Sequence, residues 1–221
     1  RANAHGAPFS AVWVVPPGLA GAGRVVDALG RARARYRARS GRLRVLVVGG
    51  SLGAQVFNQV VPNAFGLMLP QRRPSILHQS GQAHLDALKA NYAAAAVEAR
   101  TVAFIDDMAE AYREADLVIA RAGAMTVSEI ACVGVASILV PFPHAVDDHQ
   151  TGNARFLSES GAAILIQQED LTPSGLGSLL SQLTREALAT MAAKARALGK
   201  PDAAKTVADV CESAAKEPLA A

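Results

Sequence analysis

From Leu43 onward the chain alternates short apolar runs with longer amphipathic stretches, and that alternation admits few folds. Six runs have the length of strands: 44–49 (RVLVVG), 75–79 (SILHQ), 100–105 (RTVAFI), 116–121 (DLVIAR), 137–142 (SILVPF) and 162–167 (AAILIQ). Between them lie helical patterns at 53–69, 82–97, 108–115, 126–133, 149–160 and 175–187; a last one, 188–216, is broken near Gly199-Lys200-Pro201. Strands that take turns with helices feed a parallel sheet, because a parallel partner is reached only by a long crossover. The expected fold class is α/β, a doubly wound parallel sheet over about 44–200, with the closing helices completing a domain of 44–221.

With 221 residues, 51% of them hydrophobic, the chain can bury one sizeable core. Its two cysteines, Cys132 and Cys211, supply neither a disulfide framework nor a zinc site, so a reducing, cytosolic setting is expected. No run of about 18 apolar residues suggests a membrane span, and the N-terminus lacks the layout of a signal peptide. Charge is uneven: residues 1–43 hold eight arginines against Asp27, a net +7, so the remainder carries −4. A mildly acidic body argues against nucleic acid as a partner. The arm 1–43 is low in complexity, with arginine at every second position from 31 to 39, and like charges at i, i+4 oppose a helix there. It reads as a solvated linker; its sharper reading is a polybasic contact with anionic lipid.

Ligands of doubly wound sheets sit beyond the carboxyl ends of the strands, and two glycine turns fall there. Gly49-Gly50-Ser51-Leu52-Gly53 follows the first strand; Gly123 and Ala124 follow the fourth and lead into a helix through Met125, Thr126, Ser128 and Glu129. Each turn can aim free N–H groups and the positive end of a helix at an anion, and a pair suits a diphosphate. No Walker lysine follows the first turn, G-x-G-x-x-G is not met, and the second strand ends in His78-Gln79 where a dinucleotide fold places an acid.

Ser51 also satisfies G-x-S-x-G, and Asp106, Asp107, His144 and His149 follow it in the order of a serine hydrolase. That alternative lacks an oxyanion loop, since the only His-Gly pair is His5-Gly6, and it leaves the second glycine turn unused. Plainer readings stand beside the functional ones. Thr126-x-x-Glu129 and Asp107 with Glu110 match capping boxes; Phe104 suits a core; Asp147-Asp148 suit N-caps; His78, His144 and Cys132 suit structural roles.

The segments VLVVGGSLGAQVFNQ, HQSG, FIDDMAEAY, ADLVIARAGAMTVSEI, LVPFPHAVDDHQTGNARFL and GAA resemble, in order and spacing, the donor-binding half of the MurG family. The resemblance implies the C-terminal Rossmann-like half of a glycosyltransferase B-type fold, and inverting transfer of N-acetylglucosamine from UDP-N-acetylglucosamine to lipid I. It implies that Ser51 meets the phosphates, that Phe104 and Ile105 receive uracil, and that Ala124, Met125 and Thr126 offer helix-start N–H groups. Val127 and Ser128 continue that turn, Glu129 accepts from the ribose, and Gln150 with Asn153 meets the sugar; His149 stands where some relatives have glutamine. No metal and no cofactor are implied, and no catalytic residue either, the base being expected from the acceptor domain. The GGTGGH-type loop of that domain and the Asn-Pro-Val-Arg segment are absent, and the basic arm takes their place. Peripheral attachment to the cytoplasmic face of the cell membrane is implied by the lipid acceptor. A non-catalytic UDP-sugar-binding subunit is the alternative that the same residues support.

Overall fold

The computed structural model describes residues 32–50, 53–143 and 148–216, with side chains over 35–213 of that range. Six strands, β1 (Arg44–Val48), β2 (Ser75–Gln79), β3 (Arg100–Val102), β4 (Leu117–Ala120), β5 (Ala136–Leu139) and β6 (Ile164–Leu165), form one sheet in the order β3-β2-β1-β4-β5-β6. Every pairing is parallel. Among the described residues nine α-helices accompany them: α1 (Ala32–Arg37), α2 (Gln55–Gly66), α3 (Leu85–Ala94), α4 (Met108–Glu114), α5 (Ala124–Val133), α6 (His149–Ser158), α7 (Pro173–Gln182), α8 (Arg185–Leu198) and α9 (Ala203–Lys216).

Alternate side chains of each strand enter opposite cores. Leu46, Val48, Val118, Ala120 and Leu139 pack with Tyr112 of α4, Ile130 and Cys132 of α5 and Leu157 of α6. Val45, Val47, Leu117, Ile119 and Ile138 pack with Phe57 and Val61 of α2, Leu88 of α3, Leu176 of α7 and Leu188 of α8. Both faces being covered, the strands read as unbroken apolar runs.

Several expected boundaries move. β3 stops at Val102, three residues early, because its ladder has a single neighbour that itself ends at Gln79. The helix expected over 175–187 divides: α7 ends at Gln182, and Thr184 starts α8 by accepting a hydrogen bond from the Ala187 N–H at 3.2 Å. Pro62 lies inside α2 and cannot donate to the Asn58 carbonyl; Asn91 Nδ2 of α3 donates to that oxygen instead, at 2.8 Å.

The end of the basic arm is not a solvated linker. Tyr36 is buried; its hydroxyl donates to the Asp116 carbonyl at 2.7 Å and accepts from the Ala136 N–H at 3.2 Å, at the starts of β4 and β5. Arg35 donates to the Gly134 carbonyl and Arg39 to Asp116. Repulsion between arginines is outweighed here because carbonyls and a carboxylate distant in sequence receive them. Arg35 and Arg39, two of the arginines on which the lipid reading rests, are thus taken up by the fold, while residues 1–31 lie outside the described residues.

His78 of β2 is sealed in the core with Nδ1 at 2.9 Å from the Tyr92 hydroxyl, and burial lowers its pKa from 6.5 to about 3. The folded protein therefore holds neutral histidine, whereas the unfolded chain takes up a proton near 6.5. Stability from this group is complete above that pH and falls as the medium is acidified toward the folded value, by at most about 1.4 kcal/mol per pH unit. His78→Asn is expected to flatten the loss of stability between about pH 6 and about pH 4 in urea titrations. Parallel pH profiles for parent and variant would remove this account.

Candidate functional site

The first glycine turn is built by crowding. A Cβ on Gly49 would lie 2.2 Å from the Ala54 nitrogen, and one on Gly53 would lie 1.8 Å from the Ser80 carbonyl oxygen. Gly53 N–H donates to the Gly50 carbonyl at 2.9 Å, with φ of +87° at Gly50 and +75° at Gly53. From β2, Gln79 Nε2 also donates to the Gly50 carbonyl, at 2.9 Å. α2 then begins after Ala54 with no side-chain cap, so its first N–H groups are left for an incoming acceptor. Ser51 itself lies outside the described residues, as do His144 and Asp147.

The second turn ends β4. Gly123 is the N-cap of α5, with φ −63° and ψ 146° and no side-chain cap, so Ala124, Met125 and Thr126 form the uncapped first turn. The helix starts two residues earlier than the sequence pattern predicted, and this removes the capping box. Thr126 is its third residue, and Glu129 accepts a hydrogen bond from the Tyr112 hydroxyl of α4 at 3.0 Å. Burial raises the Glu129 pKa, an effect that the Tyr112 bond opposes. Val127 and Ser128 place no side chain in the cleft: Val127 is buried in the core, and the Ser128 hydroxyl donates to the Ala124 carbonyl at 2.9 Å.

Both turns open on one cleft of about 720 Å³, lined by Gly53, Gln55, Arg121, Thr126, Phe142 and Gln150 among others. A pocket of about 150 Å³ adjoins it, sharing Gly50 and Thr126, with Gln79, Phe104, Ile105, Met108, Tyr112 and Glu129 in its wall. β1 lies between β2 and β4, so this is where the crossovers part to opposite sides of the sheet, the usual ligand crevice of such folds. Two other cavities, of about 390 and 520 Å³, open at the opposite end of the sheet, where β1, β2 and β4 begin. Phe104 is no core residue: it is 60% exposed in the loop after β3.

Gln150 reaches the cleft, its Oε1 accepting from the Phe142 N–H at 3.0 Å. Asn153 does not. One turn further along α6, it is buried and donates Nδ2 to the Ala122 carbonyl at 2.9 Å, holding the second turn from behind. Asp148 makes no cap bond to a backbone N–H; its Oδ1 accepts from Thr151 at 2.6 Å. Asp107 does cap α4, accepting from the Glu110 N–H at 2.9 Å, while the Glu110 carboxylate pairs with Arg113. His149 is exposed in the first turn of α6. Among the described residues no three His, Cys, Asp or Glu side chains gather where a metal could be held.

Arg121 is the residue that sequence reasoning missed. Its guanidinium donates to the Pro141 carbonyl at 3.0 Å and to Gln168 Oε1 at 2.5 Å, and lies 5.1 and 5.3 Å from the Phe57 and Phe142 ring centres. Desolvation lowers its pKa, and no carboxylate among the described residues pairs with it. A cation held without a counter-charge at the wall of the cleft suits an anionic ligand. The signal in the sequence is an arginine directly after an apolar strand, two residues before the turn's glycine, Gly123.

Over 184 residues the chain is 59% identical to the "UDP-N-acetylglucosamine--N-acetylmuramyl-(pentapeptide) pyrophosphoryl-undecaprenol N-acetylglucosamine transferase" of Cupriavidus necator, covering 83% of this chain and 52% of that protein. The enzyme of the same description from Ralstonia nicotianae is 56% identical over 96% of this chain and 58% of its own length. The chain thus spans about half the length of the curated relatives it matches. The crystal structure of Acinetobacter baumannii MurG superposes with a TM-score of 0.80 at 42% identity, covering 86% of this chain and 55% of that one. These bear out the resemblance to the MurG family and the glycosyltransferase B-type half-fold. Residues 44–207 match the model of the glycosyltransferase family 28 C-terminal domain, and the chain belongs to that family.

Proposed function

We propose that this domain binds UDP-N-acetylglucosamine and serves transfer of the N-acetylglucosaminyl group to lipid I in peptidoglycan synthesis, as a hexosyltransferase. The observation that carries this reading is the pair of uncapped helix N-termini, α2 and α5, opening on one cleft at the switch point of the sheet. Their N–H groups, with Ser51 in the first turn, receive the diphosphate. Phe104 and Ile105 take the uracil in the adjoining pocket, Glu129 accepts from the ribose diol, and Gln150 meets the sugar hydroxyls. Asn153 acts behind the site, through the Ala122 carbonyl.

In an inverting transfer the acceptor's 4-hydroxyl displaces UDP at the anomeric carbon, and negative charge grows on the departing diphosphate. Oriented N–H dipoles and the Arg121 guanidinium stabilise that charge without reorganising, which lowers the barrier to departure. The base for the hydroxyl comes from an acceptor domain, which also brings the enzyme to the cytoplasmic face of the membrane as a peripheral protein; among the described residues no helix is long and apolar enough to cross it.

Titration calorimetry tests the reading. UDP and UDP-N-acetylglucosamine are expected to bind the isolated chain, and Glu129→Ala to weaken UDP by about 10- to 100-fold, as for loss of hydrogen bonds to a charged group. No transfer to lipid I is expected from the chain alone. Absence of UDP binding sinks the proposal, and robust transfer by the chain alone sinks the division of labour.

A further inference from the structure

The Glu129 carboxylate is half-buried on the middle of α5, facing a pocket too small for more than part of a ligand, about 150 Å³. A glutamate in such a place has two difficulties: three side-chain torsions leave it free to turn away, and burial favours its neutral form. The described residues provide a single direct partner, the Tyr112 hydroxyl, 3.0 Å from Oε2. Tyr112 belongs to the last turn of α4, and its ring is sealed in the core beside Val127 and Ile130, with 1% of its surface exposed. It cannot itself move toward a ligand; what it offers is a fixed donor beneath the carboxylate.

We infer that Tyr112 is a positioning residue for nucleotide recognition: its hydroxyl anchors Oε2 of Glu129, which leaves Oε1 to accept from the vicinal hydroxyls of a ribose. The inference rests on the reading of Glu129 as the ribose acceptor. Anchoring before the ligand arrives removes an ordering cost from binding, and the donated hydrogen bond opposes the rise in pKa that burial brings, favouring the ionised carboxylate, the form that accepts from two hydroxyls. Specificity for a ribonucleotide over a deoxyribonucleotide then depends on a tyrosine that does not touch the ligand.

The test measures affinities for UDP, 2′-deoxy-UDP and 3′-deoxy-UDP in the parent chain, Tyr112→Phe and Glu129→Asp. Phenylalanine keeps the buried ring and removes only the hydroxyl. Aspartate keeps the charge and leaves the core untouched, but withdraws the carboxylate from the ribose as well as from Tyr112, so it tests the ribose contact; if Tyr112→Phe fails to fold, a hydrogen-bonded Tyr112 hydroxyl proton seen by NMR in the parent and lost in Glu129→Ala carries the anchoring, and its absence from the parent overturns it. The parent is expected to prefer UDP over either deoxy analogue by roughly 10-fold. Both variants are expected to lose UDP affinity by about 3- to 10-fold while the deoxy analogues stay within about two-fold, so that the preference collapses. A purely structural tyrosine would weaken all three nucleotides alike, and that result, or an unchanged preference in both variants, overturns the proposal. A parent that binds the three equally overturns it differently, by removing Glu129 from the ribose.

Discussion

Asp116→Ala is expected to cost about 3–5 kcal/mol of unfolding free energy, the range for removing one partner of a buried ion pair. The Asp116 carboxylate is fully buried at the start of β4. It accepts from Arg39 at 2.7 Å, from Arg185 of α8 at 3.0 Å and from the Arg44 N–H of β1 at 2.9 Å. Alanine leaves a backbone donor and two guanidinium groups, 15% and 17% exposed, without that acceptor. The desolvation of those donors, already incurred on folding, is then uncompensated. The same residue's carbonyl receives Tyr36, so the 35–39 segment is held through both its ion pair and its backbone contact. Urea denaturation should show the loss as a lower midpoint, with Asp116→Asn between parent and alanine because its amide keeps one acceptor oxygen. A loss under about 1 kcal/mol would mean that both arginines find water, and the latch would then be no more than a surface salt bridge.

That latch marks where the sequence stops being informative. The strands of the sheet were legible because each is an apolar run that a helical pattern follows, and a run buried on both faces needs no knowledge of its neighbours. The order of the strands was not legible in the same way. Val45 and Ile119 are apolar whichever strand lies beside them, and the order β3-β2-β1-β4-β5-β6 is known only from the structure. The arm failed for a related reason. Charge periodicity compares Arg35 with Arg31 and Arg39, four positions away, whereas Arg35 and Arg39 are satisfied by Gly134 and Asp116, which the fold brings from 99 and 77 positions away.

At the site, the turns that the backbone imposes lie where the sequence places them, whereas two side chains that could serve either a ligand or the protein are engaged by the protein. Gly49 and Gly53 admit no other residue, and the turn they make is visible in any sequence containing them. Asn153 and Ser128 carry groups that suit a sugar or a phosphate equally well, but both bind a nearby carbonyl instead. Thr126 and Glu129 have the spacing of a capping box, which fails because Gly123, three residues earlier, already begins the helix. Arg121 escaped notice since Phe57 and Phe142, which hold it, come from α2 and from the loop after β5.

The sharpest test of the backbone argument compares two glycines of one turn. Gly50 and Gly53 both have positive φ, +87° and +75°, so an alanine at either meets the intrinsic penalty of that region, about 1–2 kcal/mol. They differ in what surrounds them. A Cβ on Gly50 meets nothing within 4 Å, whereas one on Gly53 falls 1.8 Å from the Ser80 oxygen, 2.4 Å from its carbonyl carbon and 2.9 Å from the Gly81 nitrogen. None of those atoms can swing aside. Ser80 N–H donates to Val102 of β3 at 2.9 Å, and the Ser80 carbonyl accepts from Asn58 Nδ2 of α2 at 3.2 Å, so the loop after β2 is tied on both sides. Relief is available only by opening the turn and displacing the start of α2, which is half of the proposed diphosphate cradle. Gly53→Ala is therefore expected to lose about 3–5 kcal/mol of stability, the scale of a severe backbone clash, and to weaken UDP by at least about 100-fold. Gly50→Ala should stay within the intrinsic penalty and keep the fold. Equal losses at the two positions, in melting and in calorimetry, would show that the sign of φ sets the cost and that the close approach to Ser80 does not.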